Sequence, residues 1–149
     1  MFGPWKKTRE PTYPSECTWS VLQGENDGAP MIVRRNDGAK QLAAHPDYRY
    51  RIGIAFPLRA PDEYGFPGER EAADLDAIED TLQERLEDGR MSLQVLGIST
   101  GGMRELVFYT RDPGSAEAVI ASVRASVRTH EVQSYVEEDP EWRLFGDFA

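Results

Sequence analysis

The chain of 149 residues has little of what most catalytic or metal-binding designs require: one cysteine, Cys17, and two histidines, His45 and His130. A lone cysteine can form neither an intramolecular disulfide nor a thiolate cage for zinc, so an oxidising compartment has no support and a cytoplasmic setting is expected. No His-x-x-x-His, His-Glu-x-x-His or calcium-loop spacing occurs, and no motif of a cysteine-nucleophile family surrounds Cys17. No catalytic residue, metal or cofactor is therefore assigned. No apolar run approaches the roughly 18 residues of a membrane span, and no apolar stretch follows the charges of Met1-Phe2-Gly3-Pro4-Trp5-Lys6-Lys7. A chain with neither membrane segment nor cleaved leader is expected. Basic excess is missing too: 26 acidic against 17 basic side chains leave a net charge of −9, which argues against direct binding to nucleic-acid phosphates.

What the chain does have is 40% hydrophobic residues over a length that suits one globular domain. Its acid is concentrated: residues 61–90 hold eleven acidic and three basic side chains. Residues 1–14, with three prolines and no periodicity, read as an extended arm that contributes little core, and residues 15–149 as a single domain.

Within that domain, Cys17–Gln23 and Met31–Arg35 are β-prone runs around an Asn-Asp-Gly turn, which predicts a hairpin over 17–35. A second Asn36-Asp37-Gly38 marks another turn, and His45-Pro46 stops any helix in the connector that follows. Tyr50–Pro57 alternates Ile52, Ile54 and Phe56 with small or charged residues, the pattern of a strand with one buried face. Leu75, Ile78, Leu82 and Leu86 recur at helical spacing and predict an amphipathic helix over 69–88, with Glu69 and Glu71 in its first turn and Gly89 at its end. Leu93–Ser99 and Met103–Thr110 flank Gly101-Gly102 as a second hairpin. Ser115 caps a second helix carrying Ala116, Val119, Ile120, Val123 and Val127, and Glu131–Val136 is a last strand. The order β-α-β-β-α-β over 48–137 predicts an α+β, ferredoxin-like sandwich with an N-terminal hairpin extension and an aromatic tail over 138–149.

Arg49-Tyr50-Arg51-Ile52-Gly53-Ile54-Ala55-Phe56-Pro57-Leu58, Ala77-Ile78-Glu79-Asp80, Thr100-Gly101-Gly102-Met103-Arg104-Glu105 and Glu138-Asp139-Pro140-Glu141-Trp142 occur in that order. Together they resemble the bacterial family catalogued as domain of unknown function 695, from about Trp19 to the C-terminus. Members look related to the regulator of ribonuclease E activity B, an acidic protein inhibitor of that nuclease. The resemblance implies a regulatory, protein-binding role and supplies no catalytic residues.

Two surfaces are candidates for such a role. Asp76, Asp80, Glu84 and Glu87 step by four, four and three residues and so share one helical stripe, expected opposite the leucines. The stripe reads either as a solvated face or as a docking surface for a basic protein partner, such as an RNA-processing enzyme or a toxin neutralised by an immunity-type protein. Replacing all four by lysine is expected to leave the fold largely intact. The aromatics Tyr64, Phe66 and Trp142, with Phe145 and Phe148, are the second surface if exposed, and core if the tail folds back on the sheet. A small-molecule or carboxylate-based enzyme using the open sheet face is a third reading. Homo-oligomerisation through an uncovered sheet face or an edge strand is compatible with all of them.

Overall fold

Two glycine-containing turns organise the sheet. Asp27-Gly28 (φ 50° and 82°) and Gly101-Gly102 (φ 58° and 79°) place both central residues at positive φ, the geometry whose twist suits a two-residue hairpin. In the computed structural model, which describes residues 10–148, the first turn joins β1 (Trp19–Asn26) to β2 (Ala29–Asn36). The second joins β4 (Ser92–Thr100) to β5 (Met103–Thr110). With β3 (Tyr50–Pro57) and β6 (Gln133–Glu138) these strands form one six-stranded sheet, in the order β1-β2-β4-β5-β3-β6. Every pairing is antiparallel. The protein is thus α+β: an open antiparallel sheet with two main helices.

The first helix, α1 (Glu69–Glu87), starts at Gly68 and ends where Gly89 turns left-handed (φ 62°), as its sequence requires. Leu75, Leu82 and Leu86 are buried, whereas Ile78 is only half-buried. The second, α2 (Pro113–Ser126), begins a turn earlier than the expected Ser115 cap. Asp112 is the cap: its carboxylate accepts the Ser115 N–H at 3.0 Å, and Pro113 supplies a preset first-turn φ.

Between the helices and the sheet lies one apolar core, formed by Ile52, Ile54, Phe56, Leu106 and Phe108 against the α1 leucines and Ala116, Ile120 and Val123 of α2. A second core lies on the opposite face, where Val33, Leu93, Leu96, Val107 and Tyr109 are covered by Leu42, Tyr48, Trp142 and Phe145. That corrects two expectations. β3 buries both faces, since Ile52 to Phe56 are all buried, and the open face proposed for an enzyme site is roofed over this core. The roof comes from the segment after β2 and from the tail, which folds back into the short α3 (Arg143–Gly146). The arm contributes as well: Pro14 is buried, and Tyr13 packs on this core and donates its hydroxyl to the Ser92 carbonyl at 2.8 Å. Residues 1–9 of the expected arm lie outside the described residues. The first hairpin continues the sheet edge by pairing β2 with β4; Cys17, expected within its first strand, lies before β1 and is exposed.

Candidate functional site

The acidic stripe of α1 is turned differently from its expected orientation. Glu79 sits on the leucine stripe, four residues from Leu75 and three from Leu82, and is buried. Its carboxylate takes the Arg34 Nη2 from β2 at 2.7 and 2.9 Å and the Gln94 Nε2 from β4 at 2.8 Å. Gly97 makes room for this, because a Cβ there would stand 2.5 Å from Arg34 Nη2. Glu87, one of the four stripe residues, is half-buried and accepts the Gln94 N–H at 2.9 Å; burial pushes its pKa up. Asp76 pairs with Arg104 of β5 at 3.0 Å.

These contacts show that one flank of α1 faces the β2 and β4 side of the sheet. The opposite flank faces α2, where Arg85 donates to Ser122. The stripe therefore flanks the core instead of standing opposite it. Asp80 and Glu84 alone of the four are exposed with no ion-pair partner among the described residues. The fourfold lysine replacement is accordingly not structurally neutral, since it breaks the Asp76–Arg104 pair and puts a cation where Glu87 accepts a backbone N–H.

The aromatic candidates are not brought together. Tyr64 is 58% exposed, on a loop held by the Asp62 Oδ1, which accepts the N–H groups of Tyr64 and Phe66 at 2.9 Å. That loop is tied to the tip of the second hairpin through Gly102 N–H to Gly65 O, at 3.1 Å. Phe66 is half-buried. Trp142 is buried on the other face, stacked on Tyr109 with ring centroids 4.0 Å apart. As a docking anchor it is corrected to core, because the tail folds back.

A site that the sequence did not disclose lies where the β3–α1 loop, the first turn of α1 and the α2–β6 connector meet. Glu71 accepts the N–H groups of Arg59 and Ala60, and its Oε2 lies 2.6 Å from His130 Nε2. The other ring nitrogen of His130 is 3.0 Å from Thr129 Oγ1. A cleft of about 670 Å³ opens here, lined by the basic Arg59 and Arg70, the acidic Glu69, Glu71 and Asp74, and by Ala60, Gly68 and Thr129. The His130 side chain is 0% exposed, so it cannot reach a ligand in the cleft as an acid or base; the pair staples three segments. A separation of 59 positions along the chain hid it, though acid in a first helical turn is a signal for such a bond.

Burial acts to raise the Glu71 pKa, but the bonds from Arg59, His130 and Ala60 outweigh it and the net direction is down. A carboxyl lowered on folding contributes stability above its unfolded value and loses it as pH falls through the folded one. Thermal melts against pH are thus expected to show an acid limb that flattens in Glu71→Gln. An unchanged limb would mean that the staple carries no charge-dependent stability.

Among the described residues no cluster of three or more His, Cys, Asp or Glu side chains is placed to hold a metal ion, and no helix is long and apolar enough to cross a membrane. A model of a family of unknown function, DUF695, matches residues 17–149. No curated protein and no solved structure matches the chain.

Proposed function

We propose, from the premise that the chain belongs to the DUF695 family, that it is a non-catalytic regulatory module that engages a basic protein surface through the acidic flank of α1. The observation that carries this reading is the exposure of Asp80 and Glu84 without an ion-pair partner among the described residues, on the flank that also holds Asp76. Exposed charge of one sign speeds encounter with a partner of the other sign and selects against wrong partners. A nuclease regulator and an immunity-type protein facing a basic toxin are both within this reading. A cytoplasmic setting suits it, because the exposed Cys17 would stay reduced there.

A ferredoxin-like unit is the architecture we assign to residues 48–137. Its support is that β5 lies between β3 and β4 and β3 lies between β5 and β6, with α1 and α2 as the two crossovers.

The test compares wild type with Asp80→Lys/Glu84→Lys as baits in native lysate at low and moderate salt, with captured proteins identified by mass spectrometry. Both positions are exposed, so the variant should keep its melting midpoint. Loss of one basic partner on charge reversal, and on raising salt, is the expected result. Identical capture by both baits would refute a role for the acidic flank.

A further inference from the structure

The two helices leave part of their own side of the sheet uncovered. Strands lie about 4.8 Å apart and packed helices about 10 Å apart, so two helices roof about four strands of six. α1 packs on β4 and on α2, and no residue of β1 or β2 belongs to the core beneath the helices, so among the described residues β1 and β2, a strip about one helix wide, have no helix above them. Arg34 reaches Glu79 of α1 and so lies on the helix-bearing side; its cross-strand partner Val21 shares that side. Alternation then puts Trp19, Val21 and Gln23 of β1 and Ile32 of β2 on the same shelf. Val21 is 64% exposed, and Trp19 and Ile32 are half-buried. The Arg34 guanidinium lies 5.9 Å from the centre of the Trp19 ring. The wall of the shelf is the flank of α1 that carries Asp76 and Asp80.

We infer that this shelf receives a basic amphipathic helix of a partner protein, which lies alongside α1 as a third helix on the sheet. Its apolar stripe would cover Val21, Ile32 and the edge of Trp19, and its lysines or arginines would meet Asp80, unpaired among the described residues, and the exposed side of Asp76 beside its Arg104 pair. Charge complementarity selects this occupant: a largely apolar floor, whose Arg34 is already paired with Glu79, beside an acidic wall fits an apolar stripe flanked by cations, and a second copy of a chain with net charge −9 would bring like charge to the wall. The inference rests on the acidic-flank reading and adds to it the floor and the shape of the ligand.

The probe is a synthetic helix with leucines at i, i+3, i+4 and i+7 and lysines on both flanks, set against a scrambled peptide of equal composition that has no apolar face. Binding to the full ¹⁵N-labelled chain is followed by amide shift changes and titration. The expected result is that only the amphipathic peptide binds, that the shifts concentrate on β1, β2 and the facing flank of α1, and that Val21→Lys and Asp80→Lys each weaken binding about tenfold or more. Both replaced residues are exposed, and unchanged melting midpoints would verify the fold. Equal binding of the two peptides, sensitive to Asp80→Lys but not to Val21→Lys, would overturn the shelf and leave the acidic flank standing. Binding insensitive to both variants, or no binding, would overturn the inference. Self-association abolished by Val21→Lys would make a second copy the occupant, and binding that appears only after removal of residues 1–9 would assign the shelf to the chain's own basic terminus; either result overturns the inference.

Discussion

Replacing Trp142 by alanine is expected to destabilise the protein by about 3–5 kcal/mol, the range for emptying a large aromatic site in a core. The indole is 2% exposed. It stacks on Tyr109 at 4.0 Å, meets the Phe145 ring edge-on at 5.8 Å, and donates its Nε1 proton to the Tyr48 carbonyl at 2.8 Å. The backbone at Trp142 is left-handed, with φ 56°, a conformation that costs about 1 kcal/mol or more for a residue with a Cβ. Alanine keeps that cost and the backbone bonds to Asp139 and Gly146, but loses the stacking, the edge-on contact and the indole hydrogen bond that offset it. Chemical denaturation should therefore show a lower midpoint, and the tail should lose amide protection from hydrogen exchange before the β3–β5 core does. A loss below about 1 kcal/mol would mean that the tail is not part of the cooperative unit.

Replacement of Asp139 by alanine is expected to be of similar size, about 3–5 kcal/mol, for a different reason. Its carboxylate is 6% exposed and gathers four donors: Tyr109 Oη at 2.7 Å, Arg51 Nη1 at 3.0 Å, and the N–H groups of Arg143 at 2.9 Å and Leu144 at 3.2 Å. The other contacts of Arg51 are the exposed Glu137 at 2.6 Å and the Tyr135 ring at 5.9 Å, while its Nε is buried without a partner. Removal of the carboxylate therefore leaves the Tyr109 hydroxyl, the Arg51 Nη1 and the first turn of α3 without their acceptor together, with Glu137 still on the Arg51 Nη2. Burial acts to raise the Asp139 pKa, but the hydrogen bonds to its ionised form outweigh it and the folded value lies below the ordinary one. Its stabilisation is thus full above the unfolded value of about 3.9 and is lost as pH falls through the folded one. Melting midpoints of wild type should drop on acidification through that window, and those of Asp139→Asn should start lower and drop less. Parallel pH profiles for the two proteins would remove the charge from this account.

Both predictions concern the tail, which the sequence left with two readings, as aromatic surface or as core. The hairpins and the α1 and α2 stripes were legible because each is a local signal: a positive-φ turn of Asp-Gly or Gly-Gly, or leucines returning every three or four residues. Glu79 was legible in principle, as a carboxylate inside the leucine stripe that demands a cation. Its donors, Arg34 and Gln94, come from two other strands. Glu71 with His130, and Asp139 with Tyr109 and Arg51, are pairings across long stretches of chain that no periodicity encodes.

By itself the sequence determined the order of the six strands and the two main helices, the family resemblance and the concentration of acid on one helix, since composition and spacing are properties of neighbours along the chain. Only the tertiary structure decided which flank of that helix the acid occupies, that both faces of β3 are buried, and that β1 and β2 extend the sheet beyond the core that the two helices cover. Those outcomes depend on which surfaces meet, and burial is a property of the pair of surfaces, which neither sequence segment carries alone.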